Sequence, residues 1–229
     1  PPAAVAVRRT GLDDRARATA KWAELKTFDQ SGLSEQGQLN YAIAAFGRET
    51  AAETARFEYG SGPGRPSPYV VAQLSGAYYS TPDFLENQHR FDDKYGADGF
   101  LSRLSDFAKS IHGENELIEF DAAKGVIAPD YIIDRTLPQI RNLRDMAAGD
   151  WSMIKTVARK EAALGLSGYA DRAKAILDTE VKPALAAQIA KLEALRPQAV
   201  HDAGVWRLPD GEAFYANGLR SNTTTTLTA

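Results

Sequence analysis

Apolar residues recur every three or four positions along most of this 229-residue chain, and this spacing restricts its fold more than any other feature. The clearest run extends from Leu166 to Leu195, and its apolar residues share one helical face: Ala173, Ile176, Leu177, Val181, Ile189, Leu192 and Leu195. A period near 3.6 residues is typical of an amphipathic α-helix. The sequence contains no series of alternating strands and no repeat of fixed period, so it predicts a mainly α fold.

The first half of the chain predicts several separate helices. A helix is expected over 13–28, and a second from an N-cap at Ser34 to about Phe57. The composition of 60–68 is that of a loop. Thr81-Pro82-Asp83 is typical of a helix start, with an N-cap, proline at the first position and an acid in the first turn.

Prolines mark the helix limits in the second half. Pro129-Asp130 is expected to open a helix, and Pro138 to kink or end it. Pro183 is expected to bend or divide the run from Leu166 to Leu195, because proline lacks the amide hydrogen that the helix interior requires.

Short extended segments are expected only near 205–208 and 222–228. The second of these contains four consecutive threonines, Thr223 to Thr226, and β-branched side chains favour extended backbone. The fold is therefore predicted to be a mainly α, multi-helix domain with long loops over residues 1–229. Thr228 would suit the N-cap of a further helix, so we expect the protein to continue past Ala229.

Composition and charge exclude several classes of function. The absence of cysteine excludes disulfides, zinc–thiolate sites and a cysteine nucleophile. A net charge of −3 argues against a nucleic-acid partner. No apolar run reaches the roughly 18 residues that a membrane-spanning helix requires.

Short motifs offer little catalytic chemistry. His89, His112 and His201 lie far apart in sequence and form no His-Glu-x-x-His pattern, so no metal site is predicted. Ser152 and Lys155 have the Ser-x-x-Lys spacing of β-lactamases, but the companion Ser-Asp-Asn and Lys-Thr-Gly motifs are missing. No catalytic residue is therefore assigned.

The segment from Arg65 to Leu85 is the most informative stretch for binding. Gln73, Tyr78 and Tyr79 combine apolar bodies with hydrogen-bonding tips, which suits the wall of a substrate cleft. The alternative is a buried loop whose polar tips satisfy backbone groups. The three residues are candidates for substrate binding, and both interpretations stay open.

Several collinear segments together resemble the bacterial family known as domain of unknown function 885. The resemblance covers nearly the whole chain and rests on segments 14–18, 40–41, 55–57, 65–78, 127–134 and 208–215, and on Leu219-Arg220 before the threonines. Through its place in the last segment, Arg220 becomes a further candidate for substrate binding. The chain departs from the family at Asn222, where a histidine commonly precedes the threonines.

The resemblance implies a mostly helical zinc metallopeptidase of bacteria that is exported, either periplasmic or secreted, or lipid-anchored. The family's zinc motif lies beyond the segments matched here, so this chain is expected to bind no zinc and to be inactive alone. It would be the N-terminal half, forming scaffold and one wall of the peptide-binding cleft. Its partners would be a C-terminal half, in cis or as a separate chain, and a peptide substrate. The alternatives are a stand-alone helical binding module and a helical domain of unrelated function.

Overall fold

The computed structural model describes the backbone of residues 3–63, 67–225 and 227, with side chains from residue 13 onwards. Helices account for most of this part of the chain: α1 (Ala3–Leu25), α2 (Glu35–Thr54), α3 (Ala77–Asp83), α4 (Lys94–Ala123), α5 (Asp130–Asp145), α6 (Ser152–Ala163), α7 (Tyr169–Ile176), α8 (Lys182–Leu195) and α9 (Gly211–Thr223). The described residues form no β-sheet, and Ala72 pairs with Ser75 in an isolated bridge. The prediction of a mainly α fold is confirmed.

Helix α4 is the longest helix and contacts α1, α3, α7 and α8. It begins where the Asp93 carboxylate accepts a hydrogen bond from the Gly96 amide at 2.7 Å. A Cβ at position 96 would lie 2.6 Å from the Arg90 carbonyl oxygen, so this turn requires glycine. The buried face of α4 supplies much of the main core: Ala97, Phe100, Leu101, Leu104, Phe107, Ala108, Ile111 and Ile118.

Helices α7 and α8 are joined by a π-helical turn, Leu177–Val181, without a break in the helical backbone. The wide turn immediately precedes Pro183, whose ring would clash with the carbonyl four residues earlier in a regular α-helix. The interruption expected at Pro183 is therefore a π-helical turn between α7 and α8. The core-facing residues of the joined helices recur every fourth position: Tyr169, Ala173, Leu177, Val181, Leu185 and Ile189.

Helices α1 and α2 pack against each other as a hairpin. The expected N-cap at Ser34 is confirmed, because its side chain accepts a hydrogen bond from the Gly37 amide at 3.2 Å. The buried residues of α2 are Thr50 and Thr54, whereas Leu39 and Ile43 are 55% and 65% exposed. The described part of the chain therefore leaves the apolar face of α2 around Leu39 and Ile43 open to solvent.

A second, smaller core connects the end of α2 to α9. Its buried members are Phe57, Tyr59, Val126, Leu208 and Phe214. The guanidinium of Arg15 on α1 donates to the carbonyl oxygens of Phe57 and Tyr59 at 2.5 and 3.0 Å, which ties the hairpin to this core.

The two segments expected to be extended differ from that expectation. Residues 205–207 form a 3₁₀ turn, and Asn222 and Thr223 belong to the last turn of α9. The Thr223 hydroxyl donates to the Leu219 carbonyl oxygen at 2.8 Å, so this β-branched residue has a polar partner within the helix. Thr224 then ends α9 in a left-handed conformation with φ 56°. Thr226, Thr228 and Ala229 lie outside the described residues.

The helix start expected at Thr81-Pro82-Asp83 is wrong. Helix α3 begins earlier, at Ala77, and Pro82 lies inside it. Gly76 precedes it with φ 108°, and a carboxylate from α4, rather than Thr81, accepts the first amide hydrogen of the helix. A π-helical turn, Phe84–Gln88, follows Pro82 and continues the chain towards α4. No helix in the described ranges has both the length and the apolarity that crossing a bilayer would require.

Candidate functional site

The four candidate binding residues occupy three different environments. Gln73 is partly buried in the tight turn that the bridge between Ala72 and Ser75 closes. Tyr78 and Tyr79 follow at the start of α3, and Arg220 lies near the end of α9. The structure therefore brings Gln73, Tyr78 and Tyr79 into neighbouring positions of one segment and leaves Arg220 on a different element.

Tyr78 is buried and forms part of a polar network among helices. Its hydroxyl lies 2.8 Å from both the Ala72 carbonyl oxygen and Gln139 Oε1, and it can donate its single hydrogen to either acceptor. Burial raises the pKa of the Tyr78 hydroxyl, with smaller contributions from the nearby Glu114 and Tyr79. This environment matches the alternative interpretation for Tyr78, because its polar tip satisfies a backbone group and fixes the turn to α5.

Glu114 extends this network from α4. One carboxylate oxygen accepts from the Ala77 amide at 2.6 Å, and the other accepts from Gln188 Nε2 on α8 at 3.0 Å. Burial raises the pKa of the Glu114 carboxyl to about 7, although both hydrogen bonds oppose the shift. The carboxylate accepts from an amide that has no partner within α3, and it thereby holds the Gln73–Tyr79 segment in place.

Tyr79 is half exposed and lines an open groove between α3, the π-helical turn and the first half of α4. We call this the α3–α4 groove. One part has a volume of about 780 Å³ and is lined by Tyr79, Ser80, Thr81, Asp83, Phe84 and Gln88. The adjoining part has a volume of about 730 Å³ and shares Phe84 and Gln88, and it adds His89, Arg90, Asp92, Asp93, Tyr95, Gly96, Gly99, Ser102, Arg103 and Asp106. Of the four sequence candidates, Tyr79 is the one that lines this groove.

The groove contains an arginine whose guanidinium is held from behind. Arg103 Nη1 lies 2.5 Å from His89 Nδ1, and the His89 ring packs edge-on against Phe100. Since a guanidinium can only donate, Nδ1 accepts, and the proton of the neutral ring sits on Nε2, which donates to the Gly96 carbonyl oxygen at 2.8 Å. The buried imidazole therefore orients the Arg103 side chain towards the groove.

Arg220 has a structural environment of its own. Its guanidinium pairs with the Glu49 carboxylate on α2 at 2.5 Å and lies over the Phe46 ring, 5.6 Å from its centroid. These contacts join α9 to α2 and do not reach the lining of the α3–α4 groove. Arg220 is thus placed beside the open face of α2.

The described residues do not fit a zinc ion. No group of three or more histidine, aspartate or glutamate side chains in the described ranges is arranged to hold a metal. His89 is occupied by Arg103 and Gly96, and His201 Nδ1 lies 2.9 Å from the Asp130 carboxylate. A catalytic zinc needs about three protein ligands, so any zinc chemistry would depend on residues outside this set.

Sequence reasoning missed Arg103 and Glu114 as functional or supporting groups. A signal for the first was present, since Gly96, Gly99 and Arg103 follow one another at helical spacing and place two side-chain-free positions beside a cation. Glu114 gave no such signal, because its partner Ala77 lies 37 residues away in sequence.

The comparisons with known proteins identify relatives of this fold. The family described as "Bacterial protein of unknown function (DUF885)" matches residues 8–229. Among solved structures, "the putative lipoprotein from Colwellia psychrerythraea" matches with a TM-score of 0.88 and 16% sequence identity. The match covers 96% of this chain and 39% of that protein, so the chain spans well under half of the neighbour's length. No curated protein sequence matches the chain.

Proposed function

Because the chain belongs to the bacterial DUF885 family, we propose that it is the non-catalytic helical half of an exported zinc-dependent peptidase. In this proposal it supplies the scaffold and one wall of the peptide-binding cleft. The zinc ligands and the general base belong to a C-terminal half, which is joined in cis or associates as a separate chain.

One observation carries the proposal. The fold of nearly the whole chain recurs as 39% of a longer protein, which fits a scaffold unit that works together with a second part. The description of that neighbour as a lipoprotein supports export across the cytoplasmic membrane.

The open face of α2 is the proposed docking surface for the second half. Leu39 and Ile43 expose apolar side chains there, and removing such surface from water is favourable by roughly 25 cal/mol per Å² before the cost of association. Arg220 and Glu49 lie beside this face and hold α9 against the neighbouring part of α2. A catalytic half that covered the face would complete a core that the described residues leave open.

The α3–α4 groove is the proposed cleft wall. Tyr79 would contact the substrate directly, since its ring is half exposed and lines the groove. Gln73 and Tyr78 would position the wall, because the turn that holds Gln73 is fixed through the Tyr78 hydroxyl.

The test compares this chain with the longer product of the same gene. We expect the 229-residue chain to be free of stoichiometric zinc and inactive against a peptide library, and the longer product to bind zinc and cleave peptides in a chelator-sensitive way. Zinc content would be measured by mass spectrometry and cleavage by chromatography. Chelator-sensitive cleavage by the chain alone would overturn the proposal, and so would a longer product without zinc.

A stand-alone peptide-binding module is the second candidate. It is favoured by the α3–α4 groove, which is formed within residues 79–106 and needs no second chain to close it. This function predicts a chain that stays monomeric at high concentration and binds peptides without the second half. Concentration-dependent self-association in sedimentation velocity would instead favour the half-enzyme.

A further inference from the structure

Arg103 is a cation in the α3–α4 groove that has no carboxylate partner among the described residues. The acids around it are engaged elsewhere. Asp106 pairs with Lys109 at 2.7 Å, and Asp92 pairs with Arg90 at 3.2 Å. The other two acids of the groove are Asp93, which accepts the amide hydrogen at the start of α4, and Asp83, which accepts from Asn87 Nδ2 at 2.7 Å. Arg103 therefore lines the groove as a cation that none of these carboxylates neutralises.

The guanidinium is also pre-oriented. One of its five N–H groups is used in the bond to His89 Nδ1, and its central carbon lies 5.8 Å from the Phe84 ring centroid. The buried His89 is in turn fixed by the Gly96 carbonyl oxygen. A pre-oriented arginine loses less side-chain entropy when it binds a ligand than a free one does.

Space for a ligand lies next to the guanidinium. Gly99 has no side chain, and a Cβ at this position would lie 3.9 Å from Arg103 Nη1 and 3.7 Å from His89 Cε1. The part of the groove around these residues has a volume of about 730 Å³. A side chain at position 99 would narrow the approach to Arg103, whereas glycine keeps it open.

We propose that Arg103 binds a single carboxylate of a peptide in the α3–α4 groove, either the C-terminal carboxylate or an acidic side chain. A planar guanidinium with free N–H groups matches the two oxygens of a carboxylate. The groove is lined by two arginines and four aspartates, so its formal charge is negative. This balance disfavours phosphate-rich polyanions and fits a ligand with one anionic group.

This inference deepens the proposed function and rests on it for the peptide nature of the ligand. Its test needs neither zinc nor cleavage, so the two can fail separately. The probe is N-acetyl-tetraalanine with a free C-terminus, titrated into the intact 229-residue chain and followed by NMR shifts or calorimetry. The same peptide as a C-terminal amide, and an amide with glutamate as third residue, distinguish the two carboxylate sources.

We expect the free acid to bind and the plain amide to bind about ten- to a hundredfold more weakly, since one charge-assisted contact is lost. Arg103→Met should weaken binding of the acid by the same factor, and Arg103→Lys should do so partly. Arg159→Met is the matched control, because Arg159 is an exposed arginine on α6 that does not line the groove. It should change affinity by less than about twofold.

The proposal would be overturned if neither the free acid nor the glutamate-containing amide bound more tightly than the plain amide, which includes undetectable binding of both acidic peptides. It would also fail if Arg103→Met left affinity unchanged, or if Arg159→Met weakened it equally. Thermal unfolding followed by circular dichroism checks that each variant is folded. If Arg103→Met does not fold, Arg103→Lys and the amide comparison decide the result.

Discussion

Glu114 Oε1 accepts a hydrogen bond from the Ala77 amide at 2.6 Å, so a side chain of the central helix caps a helix that begins 37 residues earlier. The same carboxyl group has a pKa raised to about 7 by burial. The contact that fixes the groove wall is therefore made by a group that titrates near neutral pH.

Stability should depend on pH through Glu114. Its pKa is higher in the folded chain than the ordinary value of 4.5, so the folded state holds more protons than the unfolded state between these values. The free energy of unfolding should fall as pH rises from about 4.5 to 7, by at most about 1.4 kcal/mol per pH unit, and then level off. Urea unfolding at several pH values measures this slope.

Glu114→Gln is the matching variant, because the amide keeps an acceptor for the Ala77 N–H and cannot titrate. The slope between pH 4.5 and 7 should become shallower in this variant. A smaller slope of the same sign should stay, because burial also raises the pKa of Asp121 to about 6. An unchanged slope would show that Glu114 does not titrate in this range.

Loss of the hydroxyl should destabilise the chain at Tyr78 and have little effect at Tyr79. Tyr78→Phe leaves the Ala72 carbonyl oxygen and Gln139 without the hydroxyl between them, and should destabilise the chain by about 1–3 kcal/mol. Tyr79→Phe changes a half-exposed side chain and should stay within about 0.5 kcal/mol of wild type. Denaturant unfolding of the pair checks this, and equal effects would argue against the network.

Replacing two glycines of α9 by alanine should change stability in opposite directions, because their surroundings differ. At Gly211 a Cβ would lie 1.8 Å from the Val205 carbonyl oxygen, so Gly211→Ala should cost about 1–3 kcal/mol. At Gly218 a Cβ would meet no atom within 4 Å beyond its chain neighbours and the backbone of its own helix, and Gly218→Ala should stabilise the helix by about 0.5–1 kcal/mol. Thermal melts of both variants measure the two effects. If both variants were stabilised, or both destabilised, the prediction would be wrong.

The open face of α2 should affect association more than folding. Ile43→Lys introduces a charge at an exposed apolar position, and the free energy of unfolding of this chain should change by less than about 0.5 kcal/mol. Self-association, measured by sedimentation velocity, should decrease. Gln38→Lys is the control on an exposed polar position of the same helix and should have little effect. If both variants associate like wild type, this face is not a docking surface.

Local sequence patterns predict most of the helices. The features that they do not predict depend on contacts between residues far apart in sequence. Ser34 caps α2 as expected, because its partner Gly37 is three residues away. The start of α3 was misplaced, since the group that caps it is Glu114 on another helix. Four threonines favour extended backbone, but Thr223 stays helical through a bond to the Leu219 carbonyl oxygen.

The candidate site was predicted only in part. The segment 73–79 was singled out by its polar aromatic residues, and Tyr79 does line the groove. The sequence does not reveal that adjacent Tyr78 turns inward, because a helix sends successive side chains about 100° apart and either could have faced the core. Arg103 could not be recognised as unpaired without the geometry that assigns its neighbouring acids to other partners.

The π-helical turn between α7 and α8 determines which side chains of α8 point in the same direction as the buried side chains of α7. A side chain repeated every fourth residue drifts by about 40° per step around a regular α-helix, so a stripe from Tyr169 to Ile189 would wind away from α4. The wider turn at Leu177–Val181 absorbs part of that drift just before Pro183. Deleting one residue there would rotate α8 by about 100° relative to α7 and turn Leu185 and Ile189 away from the core, although the composition of the chain would hardly change.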